Sequence, residues 1–269
     1  MNGSTWELLD TPFAGRPSPG DFFASAAHDE VLARLQFLVD QQRQVGLMVG
    51  PEGTGKTYLL AVLADHCRRD GAAVAQVNLI GVAAEEFPAL LADGLGLHVR
   101  AGTSAVGLWQ QLADHLIAER YQRRRTVVLL DDIDQAAAGV GSLAARLAAL
   151  EPARAPRVTL VATCRPEGWQ RVPAQLAVLA ELRIELTCWE PSDTADFLAG
   201  ALRRANLAAD FFDPGAIGRL HELSRGVPRR VCRLADLALL AAAGQQAARI
   251  DAEMVEAAQE HLGVAQDRV

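Results

Sequence analysis

Residues 50–57, GPEGTGKT, constrain this chain more than any other segment, because they fit the spacing G-x-x-x-x-G-K-[ST]. The run Val45–Val49 before them is short and apolar and reads as a buried strand. Residues 58–67 after them repeat apolar side chains at a helical period. A strand, a glycine-bearing loop and a helix in that order make an anion cradle. Glycines let backbone N–H groups turn inward, and the helix dipole points its positive end at the same charge. In this pattern the lysine reaches the β- and γ-phosphates of a nucleotide, and the final hydroxyl ligates Mg²⁺. The expected nucleotide-binding segment is therefore Gly50, Pro51, Glu52, Gly53, Thr54, Gly55, Lys56 and Thr57. Lys56 is the only lysine among 26 lysines and arginines. The plainer reading is codon bias and chance; the sharper one, which the surrounding loop favours, is that position 56 needs a compact ammonium that a planar guanidinium does not replace.

Such a cradle needs a second carboxylate for the metal. The segment TVVLLDDID supplies one, an apolar strand that ends in acids. Asp131 is expected to hold Mg²⁺ through water. Asp132 is the candidate for orienting the attacking water. Asp134 reads as a helix cap. Thr163 ends a further apolar strand, VTLVAT, and is expected beside the γ-phosphate; the plainer alternative is a hydroxyl capping a turn. Cys164 and Arg165 carry no expected chemistry.

Strands are expected at Val45–Val49, 74–79, 126–130, 157–163 and 183–186. Helical periods occupy 28–44, 58–67, 85–95, 104–120 and 143–150. This alternation implies a parallel sheet between helical layers. Beyond residue 190 only helical periods remain, at 192–206, Pro214–Ser224, 228–243 and 252–262. The expected fold is α/β, a P-loop NTPase parallel sheet followed by a small α-helical lid. The expected boundaries are an arm at 1–28, an ATPase domain at 29–190 and the lid at 191–269. Phe13, Phe22 and Phe23 of the arm are expected to dock on the domain.

Half the residues are apolar and 22% are charged, which excludes disorder as the main state. A net charge of −7 argues against nucleic acid as the principal partner. The basic run RYQRRR at 120–125 reads as a solvated helix end rather than a grip on phosphates. The four cysteines form no C-x-x-C pair, and the histidines show no metal spacing. This reads as reduced thiols in a cytoplasmic protein. No secretory signal or transmembrane run is expected, so contact with the inner membrane would come through a partner.

A phosphate loop, a strand ending in two aspartates, a polar fourth strand and a helical lid resemble the AAA+ ATPases. The opening TPFAGRPSPGDFF with AAHDEVLARL, the segment ELSRGVPRRVCRLADLALLAA and the closing ARIDAEMVEAA resemble, more narrowly, the general secretion pathway protein A (ExeA-type) family. The resemblance runs from about Thr11 to Leu262 and stops short of that family's membrane span and peptidoglycan-binding module. It implies ATP hydrolysis to ADP and phosphate, an ATP-dependent homo-oligomer, and a protein client in secretion or envelope machinery. It also implies that Arg183 is an arginine finger entering a neighbouring subunit's site. Arg229 in GVPRR would be the lid arginine that contacts the γ-phosphate in its own subunit, with Arg230 beside it. The plainer alternatives are a surface charge for Arg183 and a helix N-terminal residue paired with an acid for Arg229. The family usually carries glutamate where this chain has Asp132. Aspartate is one methylene shorter, which implies slow hydrolysis or none. Two other readings therefore stand beside the ATPase: a non-hydrolysing, ATP-dependent assembly switch, and an ATPase of DNA transactions such as transposition.

Overall fold

The computed structural model describes residues 12–13, 22–100, 102–150 and 158–266, with side chains as far as residue 261. Most of the expected arm, at 1–11 and 14–21, lies outside the described residues, as does residue 157 at the expected start of the fourth strand. The chain forms two compact units. One comprises residues 27–52 and 56–187; the other comprises 188 onward, residues 53–55, and the described residues up to Ala26.

The first unit is built on five parallel strands: β1 (Val45–Val49), β2 (Ala73–Asn78), β3 (Thr126–Asp131), β4 (Val158–Cys164) and β5 (Ala180–Glu185). They lie in the order β2-β3-β4-β1-β5. The central strands β1 and β3 are buried along their whole length, as expected for apolar runs covered on both faces. The helices of this unit are α1 (Ala26–Asp40), α2 (Lys56–Arg69), α3 (Phe87–Gly94), α4 (Ala105–Tyr121), α5 (Val140–Ala148) and the short α6 (Ala174–Leu179). α2 turns Leu59, Leu60, Leu63, Ala64 and Cys67 inward, the stripe its sequence period calls for. Ser104 caps α4 by accepting the Gly107 N–H at 3.2 Å. Phe87, Leu91 and Leu112 are fully buried, and Phe87 and Leu91 pack in one core cluster with Val77 and Val128.

The expected bounds of the fifth strand need correction, and three short elements are added. The fifth strand runs from Ala180 to Glu185, so Arg183 lies within it rather than opening it. The short 3-10 turns Ile133–Gln135 and Pro166–Arg171, and α6 before β5, were not expected from the sequence. Elements of three to six residues carry too few apolar repeats to declare a period.

The second unit contains α7 (Pro191–Arg204), α8 (Pro214–Ser224), α9 (Pro228–Gln245) and α10 (Ala252–Gln266). α7 starts with Pro191 and a capping box in which Glu190 and Asp193 exchange side-chain and backbone bonds. Gly226, in the GVPRR segment, has φ +66°, and a Cβ there would lie 2.2 Å from the Trp189 carbonyl oxygen. Only glycine allows the Trp189 N–H to reach the Gly226 carbonyl at 2.8 Å, which ties the start of this unit to the turn before α9. Phe13 and Phe23 pack here: Phe13 meets Phe212 edge-on at 6.1 Å and Phe23 meets Trp189 at 5.4 Å. Phe13 and Phe23 of the arm thus pack with the helical unit's core.

Phe87→Ala should lower the unfolding free energy of the α/β unit by about 3–5 kcal/mol, the cost of a large cavity in a fully buried site. Urea unfolding followed by circular dichroism checks this.

Candidate nucleotide site

The phosphate loop joins β1 to α2, and the strand order sets its neighbours. β4 lies between β1 and β3, with Met48 opposite Thr163 and Leu130 opposite Ala162. The loop, Thr163 and the acids after β3 therefore converge at the carboxyl ends of three adjacent strands, where open α/β sheets bind ligands.

The loop has the backbone such a cradle requires. Gly53 and Gly55 adopt φ +82° and +103°, values that L side chains rarely take. Gly50 N–H donates to the Cys164 carbonyl at 3.2 Å, which fixes the loop's start to β4. Lys56 is only 6% exposed. Its Nζ donates to the carbonyls of Gly50 at 2.8 Å and Pro51 at 3.0 Å, so the ammonium curls back under the loop. Burial pushes its pKa below the usual lysine value, and the charges of Asp132, Asp131 and Asp134 oppose that shift.

Asp131 ends β3 and is 2% exposed. Thr57 Oγ1 donates to its Oδ2 at 2.6 Å, and Thr163 Oγ1 donates to its Oδ1 at 2.6 Å. The Thr163 oxygen also accepts the backbone N–H of Asp132 at 2.9 Å. One threonine thus links the ends of β3 and β4 and reaches the residue expected to face water. Thr57 and Asp131 together offer a hydroxyl and a carboxylate, the hard oxygen donors that suit Mg²⁺. The glycine-opened loop at the start of α2, with a buried ammonium inside it, suits a polyphosphate.

Asp132 adopts the left-handed conformation, φ 54° and ψ 49°. Aspartate tolerates this region better than most residues other than glycine, and the Thr163 bond to its N–H helps to hold it there. Burial raises its pKa above the usual carboxylate range; Asp131 adds to the rise and Lys56 opposes it. A carboxylate shifted this way is a better proton acceptor near neutral pH.

Asp134 is not a helix cap. Its side chain is fully buried and its Oδ2 accepts from Arg165 Nε at 2.9 Å. No periodic or motif signal marks this pair in the sequence; an acid and an arginine, each just past a strand end, is the one available hint. Arg183 is half-exposed, stacks over the Trp169 ring at 4.2 Å and pairs with Glu185 at 3.0 Å. Arg229 is the second residue of α9 and is exposed; its backbone N–H donates to the Gly53 carbonyl at 3.1 Å, both residues belonging to the second unit. Arg230 is exposed beside it. Two arginines of the basic run before β3 are engaged internally: Arg124 pairs with Glu119 at 3.3 Å, and Arg125 with Asp40 at 2.7 Å and Asp70 at 3.7 Å.

A sequence profile described as an AAA domain matches residues 31–167, half of the chain. The chain belongs to the AAA domain family. General secretion pathway protein A of Aeromonas hydrophila is 28% identical over 239 residues, which cover 87% of this chain and 44% of that protein. The resemblance read from the opening and lid segments is thus found across most of this chain, which spans under half of that relative's length. Among solved structures, Cdc6p from Pyrobaculum aerophilum superposes with a TM-score of 0.74 at 17% identity, covering 93% of this chain and 70% of that one. The Aeropyrum pernix ORC2 protein in ADPNP–ADP complexes gives 0.68 at 16% identity, with 93% and 70% covered. The Thermotoga maritima RuvB Holliday junction branch migration motor gives 0.59 at 18%, with 93% and 73% covered. At these identities the likeness is one of fold, and the fold is that of the P-loop AAA+ proteins. Members of this family are in general nucleotide-binding ATPases that use Mg²⁺. Among the described residues, no helix is long and apolar enough to cross a membrane.

Thr163→Val keeps the shape but strands the Asp132 N–H and Asp131 Oδ1. It should cost about 1–3 kcal/mol of stability, the penalty for a buried polar group without its partner. Thr163→Ser, which keeps the hydroxyl, should stay within about 1 kcal/mol of the parent. Thermal unfolding of the two variants side by side makes the comparison.

Proposed function

We propose that this protein binds ATP with Mg²⁺ and hydrolyses it slowly to ADP and phosphate as an ATP-dependent homo-oligomer. The cycle would remodel or assemble a protein partner in secretion or envelope machinery, from the cytoplasm and at the inner membrane only through that partner. The observation that carries this reading is the hydrogen-bonded row Thr57–Asp131–Thr163 next to the buried Lys56, all within one loop and three strand ends. Mg²⁺ held by Thr57 and, through water, by Asp131 would spread the charge of the phosphate oxygens. Lys56 would exchange its two carbonyl partners for phosphate oxygens, which make stronger, charge-assisted bonds. Asp132 would orient the water and take its proton. Its raised pKa suits that role, and its short side chain is the reason slow turnover is proposed. Thr163 would hold the Asp132 backbone and face the γ-phosphate. Arg229, with Arg230 beside it, takes the γ-phosphate role in its own subunit by resemblance to the lid segment. Arg183 takes the finger role by resemblance, and its half-exposed guanidinium is open to a neighbouring subunit. The link to secretion rests on the similarity to the Aeromonas protein.

A second reading, an ATP-dependent switch that does not hydrolyse, is favoured by one feature, aspartate rather than glutamate at position 132. A phosphate-release assay at micromolar protein separates the two. A DNA-transaction role is disfavoured by the net charge of −7 and by the internal pairing of Arg124 and Arg125.

Lys56→Ala should fold but gain no thermal stabilisation from Mg-ATP. The parent should gain about 2.7 kcal/mol at a hundredfold excess over Kd. Asp132→Asn should retain that stabilisation and lose phosphate release, and Asp132→Glu should raise the rate. Parent-like turnover in Asp132→Asn would remove Asp132 from the mechanism.

Specific activity should rise with protein concentration, because a finger supplied in trans is worth about 10³–10⁵ in rate. Arg183→Ala should bind ATP and hydrolyse poorly. Mixing it with Lys56→Ala should restore part of the rate, each chain supplying what the other lacks. Mixed oligomers that stay inactive exclude the trans role.

A further inference from the structure

Asp132 sits in a left-handed backbone conformation, which aspartate tolerates but does not require. The bond to Thr163 holds its N–H, but the 3-10 turn that follows has to be held as well. That turn is fixed at Ile133, which is buried in the core, and at Asp134, whose side chain is fully buried. Asp134 accepts from Arg165 Nε, and Arg165 is the second residue after Thr163. The approach is close enough to dictate a third residue. A Cβ at Gly168 would lie 2.1 Å from Asp134 Oδ2 and 2.5 Å from its Cβ, so position 168 must be glycine for Asp134 to fit. The arrangement is not one that stability alone selects. Asp134 Oδ1 is buried without a hydrogen-bond partner among the described residues, and a third carboxylate is placed near Asp131 and Asp132. Buried ion pairs are commonly replaceable by apolar pairs without loss of stability.

We infer that Arg165 and Asp134 are a positioning pair: with Gly168, they clamp the turn after β3 to the turn after β4 and so hold Asp132 in the orientation that faces water. The inference rests on the proposed role of Asp132, but the clamp itself is a property of the backbone and has its own readout. Three bonds span the strand ends: Thr163 donates to the Asp131 carboxylate and accepts the Asp132 N–H, and Arg165 donates to the Asp134 carboxylate. Loss of the Arg165 bond leaves the turn held at Thr163, at the buried Ile133 and by the Gly81 N–H on the Gln135 carbonyl, but frees it at Asp134.

The experiment compares Arg165→Met, the milder Arg165→Lys, Asp134→Asn and the apolar double variant Asp134→Leu/Arg165→Met in the full chain. Amide hydrogen exchange is measured by NMR, together with ATP affinity and phosphate release. Arg165→Met and Asp134→Asn should speed exchange at Asp132 and Gln135 by about tenfold or more, while Leu129 in mid-strand stays unchanged, because only the local opening is affected. Turnover should fall by about tenfold at an ATP affinity within about twofold of the parent. Arg165→Lys should restore part of both. The double variant should regain thermal stability but neither slow exchange nor turnover, because apolar packing lacks the directional bond. Unchanged exchange at Asp132 in the single variants overturns the inference. So does full recovery of exchange protection in the double variant, which would make the pair a packing element only. A parent protein that binds ATP without releasing phosphate would defeat the proposed hydrolysis, and the exchange data would still decide the clamp.

Discussion

The carboxylate of Asp131 is the group on which the site's geometry depends. Its two oxygens are taken by two hydroxyls, Thr57 at the start of α2 and Thr163 near the end of β4. Three elements distant in sequence are thereby fixed to one side chain. Charge-assisted bonds of this length are strong and directional, so the start of α2 and the ends of β3 and β4 hold a common position. The sheet order makes this possible. With β4 inserted between β1 and β3, the threonine of the middle strand can bond the acid of its neighbour and the N–H that follows.

Electrostatics explains why so much charge is gathered there. Asp131, Asp132 and Asp134 repel one another, and Lys56 and Arg165 are the cations set among them. Burial pushes Asp132 upward and Lys56 downward, each away from its ionised form. Such opposed shifts are common where a protein prepares a site for a charged ligand, because the ligand's charge then completes the balance. Asp134 is held differently, by a single arginine and a glycine that leaves it room.

The helical unit rests on another principle, aromatic packing around a glycine-dependent turn. Phe13, Phe23, Trp189, Phe197 and Phe212 form a continuous cluster, and Gly226 permits the backbone bond that closes it. Proline at the first position of α7, α8 and α9 sets each helix start, because its fixed φ suits a position whose N–H has no helical partner.

The sequence by itself determined the glycine-bearing loop with Lys56, the strand that ends in Asp131, the parallel α/β architecture and the four closing helices. Each is written in local terms: glycines and a lysine at fixed spacing, apolar runs, and apolar residues at a helical period. Local signals also placed Thr163 at the end of a strand. Only the tertiary structure decided what these residues touch. That Asp134 pairs with Arg165 rather than capping a helix depends on β4 lying beside β3, which no local pattern encodes. Arg183 moved from the start of a strand to its interior because α6 and the first residues of β5 are too short to show a period. Its stacking on Trp169 requires the turn after β4 and the edge strand β5 to meet in space. The left-handed backbone of Asp132 is likewise not written in the sequence: aspartate tolerates that region, but whether it occupies it depends on the bonds its N–H and the following turn make with β4.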